Sequence, residues 1–200
     1  MLPTPTFAVR LVPNLPNILT LSRIVVIPLI VAAFYLPPGT ASWTTFALFA
    51  YASVTDYFDG MLARRWDQTT DVGRFLDPIA DKLLVGAVLV MMIATGVITG
   101  PAVIAALLIL LRELLVSGLR EFLAGKQIVV PVSSVAKWKT GVQLVAIALL
   151  LLAGVAPQIG TLGGVLLWVA TALTVYTGYE YLRGGIAHMT QPPRRNSAAE

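Results

Sequence analysis

The chain has 200 residues, 57% of them apolar and only 12% charged, against about 25% charged in an average soluble domain. With no soluble stretch long enough for a second core, this excludes a water-solvated globular protein and leaves one domain built between membrane helices. The lack of cysteine excludes disulfides and thiolate metal sites, and the formal charge of +4 does not by itself point to nucleic acid; its distribution along the chain decides its meaning.

Residues 1–16 read as an N-terminal interfacial segment, with Phe7, Val9 and Leu11 dipping into lipid. No cleavable signal is evident, because the first apolar run has no small-residue cleavage site and is long enough to remain an anchor. Six apolar runs follow, over 17–36, 43–63, 73–95, 101–124, 133–153 and 162–182, each near the roughly 20 residues that a bilayer crossing needs. The expected class is therefore an all-α integral membrane bundle of six transmembrane helices over 17–183, followed by a cytoplasmic tail over 184–200 that is polar and disordered from Gln191. Gly and Pro punctuate the joints 37–40, 96–100 and 154–160, and none of these joints carries a charge. All 14 Lys and Arg residues lie at the termini, in the other two joints, or in the span halves beside them. Positive residues stay cytoplasmic, so both termini are expected inside, with Arg10, Arg194 and Arg195 at anionic headgroups.

The second and third runs carry the least expected residues. Asp56 and Asp59 stand three apart, Asp77 and Asp81 four apart, so each pair shares one helix face. Carboxylates next to lipid are costly and by default functional. If the two runs are antiparallel neighbours joined by a short cytoplasmic turn, all four lie on the order of 5–12 Å below the boundary and can converge. Four close carboxylates need counter-charge, and an oxygen-only set with no His or Cys nearby suits two hard divalent cations such as Mg²⁺ or Mn²⁺, a common clamp on phosphoryl groups. Two other readings stay open: ion pairs with Arg64, Arg65 and Arg74, or an intramembrane cation or proton pathway.

Residues around the aspartates fit an anionic ligand. Gly60 and Gly73 permit close backbone approach, Ala63 keeps the face small, Arg64 offers a fork to phosphate and Thr70 a hydroxyl. Pro78 falls early in the third span, where it can free a carbonyl and bend the helix.

The pattern Asp56-x2-Asp59-Gly60-x2-Ala63-Arg64-x8-Gly73-x3-Asp77-x3-Asp81 resembles the signature of the CDP-alcohol phosphatidyltransferases at every fixed position. Outside it, Asn14-Leu-Pro-Asn17-x2-Thr20-x2-Arg23, Asp81-Lys82, Arg112-Glu113, Ser117-Gly-Leu-Arg120-Glu121 and Lys137-Trp-Lys139-Thr140-x2-Gln143 resemble the bacterial members that use glycerol 3-phosphate, so the likeness spans about 14–183. The resemblance implies six transmembrane helices, a homodimer and a dinuclear metal site facing the cytoplasm of a bacterial inner membrane. It implies that Asp56, Asp59, Asp77 and Asp81 ligate the metals and that Asp81 is also the general base. Asp56, Gly60, Ala63, Arg64, Thr70 and Gly73 would line the CDP-diacylglycerol site. The implied reaction moves the phosphatidyl group to glycerol 3-phosphate, giving phosphatidylglycerophosphate and CMP.

Such an acceptor carries a phosphate dianion and needs a second, cationic pocket. Arg112 is the first candidate, on the order of 18 Å deep in the fourth span, with Arg120, Lys137 and Lys139 beside it. Competing readings pair Arg112 with Glu113, and place Arg120, Lys126 and Arg183 at headgroups. Glu113 and Glu121 would orient the cations, Lys82 would point away from the Asp81 face, and His188 would lie solvated beyond the last span. Trp43, Trp66, Trp138 and Trp168 read as interface or packing residues, and Gly118, Gly141, Gly163 and Gly164 as sites of close helix approach. Alternatives to glycerol 3-phosphate are phosphatidylglycerol, inositol phosphate or serine as acceptor; outside the family, a divalent-cation transporter or a scaffold without catalysis. No nucleic-acid partner is expected.

Overall fold

The computed structural model describes residues 15–66, 71–126 and 134–190. The described residues form six helices: α1 (Leu15–Ala33), α2 (Pro38–Trp66), α3 (Asp71–Ala94), α4 (Ala102–Gly125), α5 (Ser134–Leu151) and α6 (Pro157–Thr190). Their number and order match the six apolar runs, and their ends differ at the proline-bearing joints. Pro38 and Pro157 each open a helix, because proline lacks the amide that a first turn leaves unused and already holds a helical φ. Residues read as joint, 38–40 and 157–160, thus belong to helices. α6 also runs eight residues past its expected end, so His188 and the start of the expected tail are helical. At 34 residues, α6 is roughly 50 Å long, more than a hydrocarbon core of about 30 Å accommodates upright. The α3–α4 turn uses left-handed backbone at Gly96 (φ 76°) and Gly100 (φ 55°), where a side chain would be strained.

The helices pack as two groups of three. α1 packs against both α2 and α3, and α6 against both α4 and α5. Among the described residues α2 and α3 make little direct backbone contact, and α1 packs on each of them. The groups meet through α2 with α5 and through α3 with α4 and α5. The shared core lies on the side of the 96–100 turn, with Phe49, Leu89, Met92, Ile109, Ile147 and Leu167 almost fully buried.

Close approach depends mostly on other glycines than the sequence suggested, Gly154, Gly160, Gly178 and Gly185 among them. A Cβ on Gly163 would lie 2.9 Å from the Leu150 backbone nitrogen, so α5 and α6 touch there. A Cβ on Gly118, Gly141 or Gly164 would meet nothing within 4 Å among the described residues, so none of the three sets a helix contact there. Outward faces are apolar: Leu107, Leu111, Leu114 and Leu115 on α4, and Val165 and Val169 on α6, are exposed. Trp43, Trp138 and Trp168 also face outward. Ala102–Gly125 and Pro157–Ile186 are long and apolar enough to cross a membrane by length and composition. Such a surface suits acyl chains as solvent better than water.

Candidate active site

A cavity of about 560 Å³ opens between the two helix groups. Asp56 of α2 and Asp81 of α3 form one wall; Arg112 and Glu113 of α4 and Lys139 and Gln143 of α5 form the other. Asp56, Asp81, Arg112, Arg120 and Lys139, singled out in separate segments, therefore face one space.

The acidic wall is organised by a residue that the sequence reading quoted but gave no role. Arg23, nine residues into α1, is fully buried. Its Nη1 lies 2.6 Å from Asp56 Oδ1 and 2.7 Å from Asp81 Oδ1. Carboxylates from two helices thus converge on one cation, which reaches them from a third helix, α1. Arg23 contributes charge where the acids need it, and the acids satisfy a guanidinium that could not stay buried unpaired. The Asp56 and Asp81 side chains remain 37% and 48% exposed, towards the cavity. Arg23, like Arg112, is an Arg deep in an apolar run, about 12 Å into its helix and level with Asp56 and Asp81.

The other proposed donor-site residues are placed only by their backbone. Asp59, Gly60, Ala63 and Arg64 lie on the last turns of α2, and Gly73 and Asp77 on the first turns of α3; their side chains, and all of Thr70, fall outside the described residues. Among the described side chains no three carboxylates or imidazoles meet. The pair that does meet is all-oxygen and already gathered around one positive charge. That donor chemistry fits a hard divalent cation, with Asp59 one turn from Asp56 and Asp77 one turn from Asp81 on the same helices.

On the basic wall, Glu113 is the hub. Its Oε1 accepts from Lys139 Nζ and, at 3.3 Å, from Arg112 Nη1. Arg112 Nη2 donates to Thr177 Oγ1 of α6 at 3.1 Å. The two readings of Arg112 are therefore not exclusive: it pairs with Glu113 and lines the cavity. Lys139 is buried, and its proximity to Arg112 is tolerable because one carboxylate serves both. Arg120 lines the cavity from an exposed position, with its guanidinium 5.8 Å from the Tyr181 ring centroid. Lys137 has a described backbone but no described side chain. Lys82, expected to point off the Asp81 face and to pair structurally, does line the cavity, and its Nζ makes a structural bond to the Pro78 carbonyl at 2.7 Å.

Among the described residues, Ser53 Oγ and Gln143 Oε1 are buried without a hydrogen-bond partner, and both side chains line the cavity. Unpaired buried polar atoms cost roughly 1–3 kcal/mol each, so these two mark places for ligand contact. Neither stood out as a site residue in the sequence, because an isolated Ser or Gln in an apolar run is common.

A cavity with one carboxylate wall and one cationic wall, set among helices with apolar outward faces, suits phosphate chemistry. The profile of the CDP-alcohol phosphatidyltransferase family matches residues 13–176, and the chain belongs to that family. A protein of Rickettsia bellii (strain RML369-C) is 46% identical over 85% of this chain and 94% of its own length. One of Shigella flexneri serotype 5b is 41% identical over 88% and 97%, and one of Cereibacter sphaeroides is 37% identical over 88% and 97%. All three are named CDP-diacylglycerol–glycerol-3-phosphate 3-phosphatidyltransferase.

Proposed function

We propose that this chain transfers the phosphatidyl group of CDP-diacylglycerol to glycerol 3-phosphate, releasing CMP and forming phosphatidylglycerophosphate. The observation that carries this reading is that Asp56 and Asp81 share one cavity with Arg112 and Lys139. A transfer between two phosphorylated substrates needs such a division: one wall for the nucleotide-linked lipid, the other for the phosphate of the acceptor.

Asp56, Asp59, Asp77 and Asp81 are the residues to hold two divalent cations, Mg²⁺ or Mn²⁺. When bound, these supply charge neutralisation at the pyrophosphate. Asp56, Gly60, Ala63, Arg64, Thr70 and Gly73 line the path of the CDP group, where small residues allow backbone approach and Arg64 offers a fork. Arg112, Arg120, Lys137 and Lys139 receive the acceptor phosphate. Asp81 takes the proton of the acceptor's 1-hydroxyl as its oxygen bonds to the phosphorus that carries diacylglycerol. The bond from that phosphorus to the bridging oxygen breaks, and CMP leaves with the electron pair. A carboxylate is a weak base for an alcohol, so its value lies in position. Arg23 supports that position by holding Asp81 and Asp56 together.

The surface and family favour six membrane crossings in a bacterial inner membrane, as a homodimer, with termini and cavity on the cytoplasmic side. Donor lipid then reaches the aspartates from the inner leaflet while its acyl chains stay in lipid. A transit route for cations is disfavoured: beyond Asp81, α3 continues with Leu84, Val88, Leu89 and Met92, each at most 3% exposed and packed in the core.

The test is CMP release by the purified protein from CDP-diacylglycerol and Mg²⁺, with glycerol 3-phosphate, inositol phosphate, serine or phosphatidylglycerol as acceptor. Release should require glycerol 3-phosphate and stop on chelation. Equal release with inositol phosphate would overturn the acceptor, and undiminished release in chelator would overturn the metal site.

A further inference from the structure

We infer that Thr177 and Gly178 on α6 are positioning residues that seat the Arg112 guanidinium for the acceptor phosphate; the inference rests on the anchoring role proposed for Arg112 above. Both lie just past the segment that the family profile matches, which ends at residue 176.

Three observations converge on the seat. Thr177 Oγ1, almost fully buried, accepts from Arg112 Nη2 at 3.1 Å, although 65 residues separate the two. The same hydroxyl donates its only proton back to the Leu173 carbonyl at 2.8 Å, so its lone pairs are turned towards the guanidinium. At the next residue there is no room for a side chain: a Cβ on Gly178 would lie 2.9 Å from Arg112 Cγ, 3.2 Å from Nε and 3.7 Å from Cδ. The stem of Arg112 therefore lies against bare backbone of α6. Finally, Nε is buried with no hydrogen-bond partner among the described residues. The guanidinium is thus held through Nη1 by Glu113 and through Nη2 by Thr177, with Gly178 setting how close it comes to α6.

This matters for recognition because a guanidinium binds phosphate through a planar fork, and the fork is useful only when its plane is fixed. Glu113 alone is adjacent to Arg112 on the same helix and leaves the plane free to turn about the side-chain torsions. Thr177 adds a second fixed point from another helix. A methyl at Gly178 would push Cγ and Nε away from α6 and swing the fork with them. The three atoms nearest that methyl all belong to Arg112, so the change falls first on Arg112.

The test uses the full-length purified protein with CDP-diacylglycerol and Mg²⁺, measuring initial CMP release against each substrate. Thr177→Val and Gly178→Ala should each raise the acceptor KM about tenfold while the donor KM and kcat stay within about threefold. Thr177→Ser, which keeps the hydroxyl, should restore the parental acceptor KM. In an Arg112→Lys background, whose ammonium has no fork to orient, adding Gly178→Ala should change the acceptor KM by less than about twofold, the non-additivity of residues acting through one group. Equal increases in both KM values, or the same increase in the Arg112→Lys background, would mean helix packing only and overturn the seat. If Gly178→Ala does not yield folded protein, the near-isosteric Thr177→Val and Thr177→Ser pair decides alone. Arg112→Ala separates the two levels: an unchanged acceptor KM removes the anchor itself, whereas loss of acceptor use with parental behaviour of Thr177→Val and Gly178→Ala removes only the seat.

Discussion

Arg23 of α1 and Asp81 of α3, 58 residues apart, meet through a hydrogen bond of 2.7 Å at the wall of the charged cavity. The same nitrogen of Arg23 reaches Asp56 on α2. This buried side chain connects the two halves of the aspartate signature, because its helix packs against both helices that carry them. The acids are thereby assembled before any ligand arrives. Preorganisation of this kind spares a site the cost of gathering like charges when substrate binds.

Replacing Arg23 should therefore cost stability as well as activity. Arg23→Gln leaves two carboxylates near each other without the cation between them. Because both remain partly exposed, the penalty is put at about 1–3 kcal/mol, below that of a fully buried pair. Thermal unfolding in detergent should show the midpoint lowered by roughly 3–10 °C. An unchanged midpoint would mean that the ion pairs contribute nothing to holding the bundle.

Asp81→Asn separates chemistry from architecture. The amide oxygen can still accept from Arg23, so the melting midpoint should stay close to that of the parent. It can no longer take a proton, and transfer should fall by about 100-fold or more. Nucleotide binding, followed by titration with a CDP analogue, should be largely retained. Turnover near the parental rate would remove Asp81 as the base.

The orientation can be read directly because the chain has no cysteine. Single cysteines placed at Val97 in the α3–α4 turn and at Val155 in the α5–α6 turn should react with an impermeant maleimide added outside spheroplasts. A cysteine at Lys126, at the end of α4, should react only after the membrane is opened. The reverse pattern would turn the cavity to the outer side and away from its cytoplasmic substrates.

Much of the site was legible before the fold. The Asp56/Asp59 and Asp77/Asp81 spacings, the depth of Arg112 and the neutrality of three joints are one-dimensional facts. They follow from the cost of charge in lipid and from helix periodicity. The family likeness added roles for residues such as Gly60 and Thr70 that periodicity alone does not assign. Less legible were helix ends at prolines, where the same residue that breaks a helix also begins one. Gly118, Gly141 and Gly164 misled for a related reason: a glycine looks the same in sequence whether or not a neighbour touches it.

The chain by itself thus determined that six helices would form, that carboxylates would cluster near one end of them, and that a basic set would answer them from later helices. Each of these depends on local spacing or on solvation, which every residue carries with it. Only the tertiary structure decided that α1 packs against both α2 and α3, that Arg23 pairs with Asp56 and Asp81 together, and that Thr177 and Gly178 meet Arg112. Those relationships join residues tens of positions apart, and they are set by which helix faces pack together, a property of the whole bundle that no single segment encodes.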